Sequence, residues 1–100
     1  MGGLFRYSRE LARILYIDDD ADGCEMIVAW LHDHDVTTVG DGRQAKELMQ
    51  RMRFDLYILD FYLPDMTAVE LCEDIRRVSP RVPIIIYSAL TRWADKKAVI

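Results

Sequence analysis

Three places in the sequence put oxygen chemistry directly after a short apolar run. Asp18-Asp19-Asp20 follows Ile14-Leu15-Tyr16-Ile17, Asp60 follows Leu56-Tyr57-Ile58-Leu59, and Ser88 follows Ile84-Ile85-Ile86-Tyr87. Carboxylates gathered in one place repel: two unit charges about 4 Å apart cost about 1 kcal/mol in water and about 4 kcal/mol at an effective dielectric of about 20. Such a group needs protonation or a cation, and oxygen ligands that keep some water suit Mg²⁺. A carboxylate is also a nucleophile toward phosphorus, and a bound metal neutralises charge on a transferring phosphoryl group. A hydroxyl such as that of Ser88 can donate to a phosphoryl oxygen. The bland alternative is that each Asp caps a helix or opens a loop, where Asp is favoured anyway. That account weakens if all three strand ends share one rim.

Whether they do depends on the elements that carry them. The runs at 14–17, 56–59 and 84–87 are apolar on both faces, as buried parallel strands are. Val36-Thr37-Thr38-Val39 alternates and suits an edge strand. Between the strands lie helical patterns. Residues 21–32 carry Cys24, Ile27, Val28 and Leu31 at helical spacing, with Asp22 and Glu25 as a capping pair. Residues 41–53 carry Ala45, Leu48, Met49 and Met52. Thr67 with Glu70 forms a capping box opening a helix that turns Leu71, Cys72, Ile75 and Val78 inward. Pro80 and Pro83 bracket its exit, and Thr91 can cap a last helix. The order βαβαβαβα predicts a doubly wound α/β fold with a parallel sheet. In such sheets ligands bind outside the carboxyl ends of the strands, where Asp18–Asp20, Asp60 and Ser88 stand.

Composition bounds the remaining classes. The 100-residue chain is 51% apolar and 30% charged, with a formal net charge of −4. One domain fits this length: a leader over residues 1–12 and a domain over 13–100. The acidic balance argues against direct nucleic-acid binding, which calls for a basic patch. No run approaches about 18 apolar residues, so no membrane helix is expected. The N-terminus lacks the apolar core of a signal peptide, and the chain reads as cytoplasmic. Cys24 and Cys72 match no metal or redox spacing and read as buried thiols. His32 and His34 read as a solvated helix end, Trp30 and Trp93 as partly buried or surface aromatics, and Tyr57 and Tyr87 as core.

Several motifs together resemble a known family. Ile-Leu-Tyr-Ile-Asp-Asp-Asp resembles the first strand and acidic pair of response regulator receiver domains. Residues 54–66, Phe-Asp-Leu-Tyr-Ile-Leu-Asp-Phe-Tyr-Leu-Pro-Asp-Met, resemble their third strand and phosphorylation loop. Residues 82–89, Val-Pro-Ile-Ile-Ile-Tyr-Ser-Ala, resemble their fourth strand, and Asp41-Gly42 before a helix also fits. The resemblance covers the chain from Arg13 onward. It implies a flavodoxin-like receiver fold with strand order 2-1-3-4. It also implies a two-component phosphorelay in which Asp60 accepts a phosphoryl group from a histidine kinase or phosphotransfer domain. Asp19, with Asp18 beside it, Asp60 and the backbone carbonyl of Tyr62 would bind Mg²⁺. Ser88 would be the switch hydroxyl and Ala89 the small residue that leaves access to the acceptor. The phosphorylated state would then shift a surface around the fourth helix.

Two departures from the family pattern stand out. Thr67-Ala68 replaces the usual short polar residue and Gly after Pro64-Asp65-Met66, which removes easy access to positive φ; a helix starting at Thr67 accommodates this. The sequence also ends at Ile100, before the family's fifth strand with its Lys and the fifth helix. Lys96 and Lys97 fall on the fourth helix and do not fit that Lys. The expectation is a receiver domain truncated at its C-terminus. Its Ile84–Tyr87 strand would be an apolar edge open to self-association. A second reading is a pseudo-receiver, a protein-interaction module that is never phosphorylated. An aspartyl-nucleophile phosphohydrolase fits worse, because Tyr62 stands where its second Asp would be. A P-loop enzyme is excluded by the lack of a Gly-x4-Gly-Lys run.

Overall fold

Strand-forming runs and helical stripes settle into a three-layer α/β sandwich. The computed structural model describes residues 11–88. Four strands, β1 (Arg13–Ile17), β2 (Asp35–Val39), β3 (Leu56–Asp60) and β4 (Ile84–Tyr87), alternate with three helices. The helices are α1 (Ala21–Trp30), α2 (Gly42–Met49) and α3 (Ala68–Val78). The strands form one sheet in the order β2-β1-β3-β4, all neighbours parallel. This is the expected order, with the alternating strand β2 at an edge. Ala89, Thr91, Trp93, Lys96 and Lys97, and the leader up to residue 10, lie outside the described residues.

Alternation along each strand sorts the side chains into two cores. Leu15, Ile17, Tyr57 and Leu59 face Ala45 and Met49 of α2 and Ala68, Leu71 and Ile75 of α3. Ile14, Tyr16 and Ile58 face the other way, toward Cys24 and Ile27 of α1. The strands between are therefore apolar on both faces, as their sequences require. Within α1, Val28 is 44% exposed, and within α3, Val78 is 50% exposed. Both sit at the margin of their stripe rather than inside it. Cys24 and Cys72 are half-buried free thiols packed at the core margins.

Helix ends follow local hydrogen bonding. Asp20, not Asp22, caps α1: its extended backbone (φ −93°, ψ 112°) lets the carboxylate accept from Gly23 N–H at 3.2 Å. Helix α2 stops at Met49, four residues before the expected end, because Arg51 N–H turns back to Leu48 O at 2.9 Å. Such i→i+3 bonds close last turns. The capping box of α3 forms as expected, with Glu70 N–H on Thr67 Oγ1 and Thr67 N–H on Glu70 Oε1, both 3.0 Å. His34 is not merely solvated; its Nδ1 accepts from Ala12 N–H at 3.0 Å and ties the turn before β2 to the start of β1.

Two contacts clamp the loop after β3 onto α2. The Asp65 carboxylate accepts from the N–H groups of Gly42 and Arg43, each at 2.9 Å. Burial works against its charge, yet these two bonds hold its carboxyl below the ordinary value of 3.8. Above Gly42 sits Met66, and a Cβ at position 42 would lie 2.4 Å from its Sδ and 2.6 Å from its Cγ. Gly42→Ala must therefore push Met66 off the core. A net loss of about 1 kcal/mol is expected, overpacking of about 1–3 kcal/mol being partly offset by alanine's helix preference. Urea unfolding checks this, and an unchanged midpoint would count against the contact.

Candidate functional site

The sheet register decides where the acidic residues meet. Ile17 pairs with Leu59, so the residues that follow, Asp18 and Asp60, emerge side by side at the carboxyl edge. Asp60 in turn pairs with Tyr87, which places Ser88 just beyond it. The three consecutive aspartates then separate by role. Asp18 points to the α1 side and is buried at 2% exposure, Asp19 is exposed on the rim, and Asp20 caps α1. Asp60 is buried at 1% exposure.

One carboxylate oxygen from each of Asp18, Asp19 and Asp60 lies within 4.8 Å of the others. At that separation each pair of charges costs at least about 3 kcal/mol at an effective dielectric of about 20. Two of the three are cut off from water, so the arrangement favours a cation. The donor set is all oxygen, with room left on the exposed Asp19 side for water. It fits Mg²⁺, which is held by few carboxylates and keeps part of its hydration. It does not fit a soft metal, since neither thiol belongs to it.

Around this cluster the chain makes specific hydrogen bonds. Tyr62 N–H donates to Asp60 Oδ1 at 3.1 Å, which folds the loop back over the acid as an Asx turn. A bridge between Tyr62 and Thr67 closes the same loop. Asp20 N–H donates to Asp18 Oδ1 at 3.0 Å. The Cys24 thiol donates to the Asp18 carbonyl at 3.4 Å. Burial, then the Asp18 charge, raises that thiol's pKa and keeps it protonated.

The feature that sequence reasoning missed is a pair of phenols on Asp18. Tyr16 O–H donates to Asp18 Oδ2 at 3.1 Å, and Tyr87 O–H donates to the same oxygen. The two hydroxyl oxygens lie against each other, each with its one proton directed to Asp18, and their rings stack with centroids 5.8 Å apart. Tyr87 is thus more than core. Half of this was readable: Tyr16 and Asp18 are two residues apart on a strand and share a face. The other half needed the β3–β4 register.

Burial pushes the Tyr16 hydroxyl from 10.0 up to about 12, and burial followed by the bond to Asp18 raises Tyr87 as well. Both phenols stay donors at neutral pH. A raised pKa in the fold means a contribution that is complete below pH 10 and lost as pH climbs toward 12. The thermal midpoint should fall across that interval at constant ionic strength, and Tyr16→Phe should flatten the fall. Equal falls in both chains would refute the assignment.

Ser88 is exposed directly after β4, next to Tyr87. Among the described residues no helix is long and apolar enough to cross a membrane.

Comparison with known proteins places this geometry. A family model described as response regulator receiver domain matches residues 14–100. The DNA-binding response regulator MtrA of Mycobacterium tuberculosis (strain ATCC 25618 / H37Rv) is 38% identical over 85 residues, covering 83% of this chain and 37% of that protein. The chain thus spans little more than a third of the length of that relative. Among solved structures, the chemotaxis response regulator CheY4 of Vibrio cholerae matches with a TM-score of 0.74 and 30% identity, over 90% of this chain and 81% of its own. The receiver domain of a sensor histidine kinase from Pseudomonas aeruginosa PAO1 matches with a TM-score of 0.73 and 30% identity, over 88% of this chain and 75% of its own. That structure has a magnesium ion coordinated in its active-site cleft. Since the family match runs from Ile14 in β1 through β4 and past Ser88, and the parallel sheet has the order β2-β1-β3-β4, the chain belongs to the response regulator receiver domains of two-component signalling.

Proposed function

We propose that this receiver domain accepts a phosphoryl group on Asp60 from a phosphohistidine of a histidine kinase or phosphotransfer domain. The observation that carries the reading is the convergence of Asp18, Asp19 and Asp60 within 4.8 Å at the carboxyl edge. An Asp60 carboxylate oxygen attacks phosphorus. The histidine N–P bond breaks as the O–P bond forms, and the imidazole leaves with the electron pair. Asp19, Asp60 and the Tyr62 carbonyl would hold Mg²⁺, with Asp18 close by, directly or through water. The ion, when bound, neutralises charge on the transferring group.

The chain's own residues do the positioning. The Tyr62 N–H on Asp60 Oδ1 holds the carboxylate in orientation at the carboxyl edge. Ser88, at the end of β4, donates its hydroxyl to a phosphoryl oxygen and so pulls on that strand end. Ala89 lies outside the described residues; by resemblance it would be the small residue that leaves access to the acceptor. This domain is a phosphoacceptor switch that assists its own transfer and hydrolysis rather than an enzyme with a separate substrate.

The test uses acetyl phosphate with and without Mg²⁺, read by intact mass. One phosphoryl adduct that forms only with the ion is expected. An unmodified chain under both conditions, with tryptophan fluorescence unmoved by beryllofluoride, would overturn the proposal and leave a protein-interaction module.

A further inference from the structure

Asp18 is held more completely than a solvent-facing metal ligand needs to be. Its Oδ1 accepts from Asp20 N–H, and its Oδ2 accepts from the hydroxyls of Tyr16 and Tyr87. The three donors come from different parts of the chain: the loop after β1, β1 itself, and β4. Tyr87 reaches Asp18 across β3, the strand that separates β4 from β1, with its ring stacked on that of Tyr16. Helix α1 closes over the pair. At Gly23 a Cβ would lie 3.1 Å from Asp18 Oδ2 and 3.4 Å from the Tyr16 hydroxyl, so the helix passes at a distance that only glycine leaves uncrowded.

We propose that Tyr87, with Tyr16, is a positioning residue of this site: its hydroxyl fixes the Asp18 carboxylate so that the acidic cluster is preorganised for a divalent cation. The inference rests on the metal reading above and deepens it. A carboxylate on a strand end swings about two torsions, and each orientation lost on binding an ion weakens binding. Hydroxyls that fix the rotamer beforehand remove that cost, and loss of such outer partners typically lowers metal affinity about 10–100-fold. Tyr87 also joins Asp18 to the strand end that carries Ser88, so ion site and switch hydroxyl share one support.

The experiment titrates Mg²⁺ calorimetrically into the full chain at neutral pH, as wild type, Tyr87→Phe, Tyr16→Phe, Asp18→Asn and the double variant Asp18→Asn/Tyr87→Phe. Tyr87→Phe keeps the ring and its stacking and removes only the donor. It is expected to weaken Mg²⁺ binding about 10-fold while near-ultraviolet circular dichroism stays native. Tyr16→Phe, which shares the same acceptor oxygen, should weaken it less, and serves if Tyr87→Phe fails to fold. The decisive readout is the cycle: once Asp18 is Asn, adding Tyr87→Phe should change affinity little, because the phenol acts through Asp18. Wild-type affinity in Tyr87→Phe, or the same loss in both backgrounds, overturns the proposal and leaves the metal site standing. A wild-type chain that takes up no divalent ion overturns the metal reading and this inference with it.

Discussion

An Asp60→Asn chain is expected to take up no phosphoryl group under conditions where the wild type is labelled, and to unfold at a higher temperature than the wild type when no divalent ion is present. The first effect follows from chemistry. An amide oxygen is a far poorer nucleophile than a carboxylate, and Asp18 is already occupied by two phenols and a backbone N–H. The second effect follows from electrostatics. Asp60 and Asp18 are both buried and lie within 4.8 Å. Their repulsion, about 3 kcal/mol or more at an effective dielectric near 20, is removed by the substitution. Asn keeps an oxygen to accept the Tyr62 N–H and gains an NH₂ that can face Asp18. Part of the gain goes to solvent and relaxation, so about 1–2 kcal/mol is expected, or several degrees for a domain of this size. Saturating Mg²⁺ should raise the wild-type midpoint and leave the variant nearly unmoved. Labelling of Asp60→Asn at the wild-type rate would move the acceptor elsewhere. A lower midpoint than wild type would mean that the acids are not packed together.

How far this site was readable depends on the residue. Asp18, Asp19, Asp60 and Ser88 announced themselves because each stands where an apolar run stops, and parallel strands bring such stops to one edge. The core followed from the same runs, since Leu15, Ile17, Tyr57 and Leu59 had no polar face to show. Asp20 was harder. Asp22 and Glu25 match a capping box in spacing, yet the cap must have extended backbone, and Asp20 has it as the last residue of the loop between β1 and α1, whereas Asp22 already lies inside the helix. The Asp65 clamp on α2 joins residues 22 and 23 positions apart, beyond any helical or strand period. Tyr87 packs against the core as read, but its bond to Asp18 escaped for the same reason: the partner is 69 residues away. Period reveals which face a residue takes, whereas register reveals whom it meets there.

Packing behind the acceptor sets the second large effect. Leu59→Ala should lower stability by about 2–5 kcal/mol, a large share of the roughly 5–15 kcal/mol available to a domain. Leu59 is fully buried, lies between Ile17 of β1 and Ile86 of β4 in register, and shares the core with Leu71 and Ile75. Neighbours on both strands and two helices leave little scope for the cavity to collapse, which puts the cost toward the upper half of that range. Urea unfolding should show the midpoint fall with an unchanged slope, since the surface exposed on unfolding is nearly the same. Val69→Ala, at a position 59% exposed on α3, should stay within about 0.5 kcal/mol. Because Leu59 directly precedes Asp60, ion binding and this core are linked. A cation that binds only the folded chain adds about 2.7 kcal/mol at a hundred times its dissociation constant. Mg²⁺ should therefore restore much of the folded population that Leu59→Ala loses. The same ion should restore little to a chain carrying both Leu59→Ala and Asp60→Asn, because the second change removes a ligand. Equal rescue of both chains would show that the ion acts away from the acidic edge. A loss below about 1 kcal/mol for Leu59→Ala would show that this face of β3 is not packed as described.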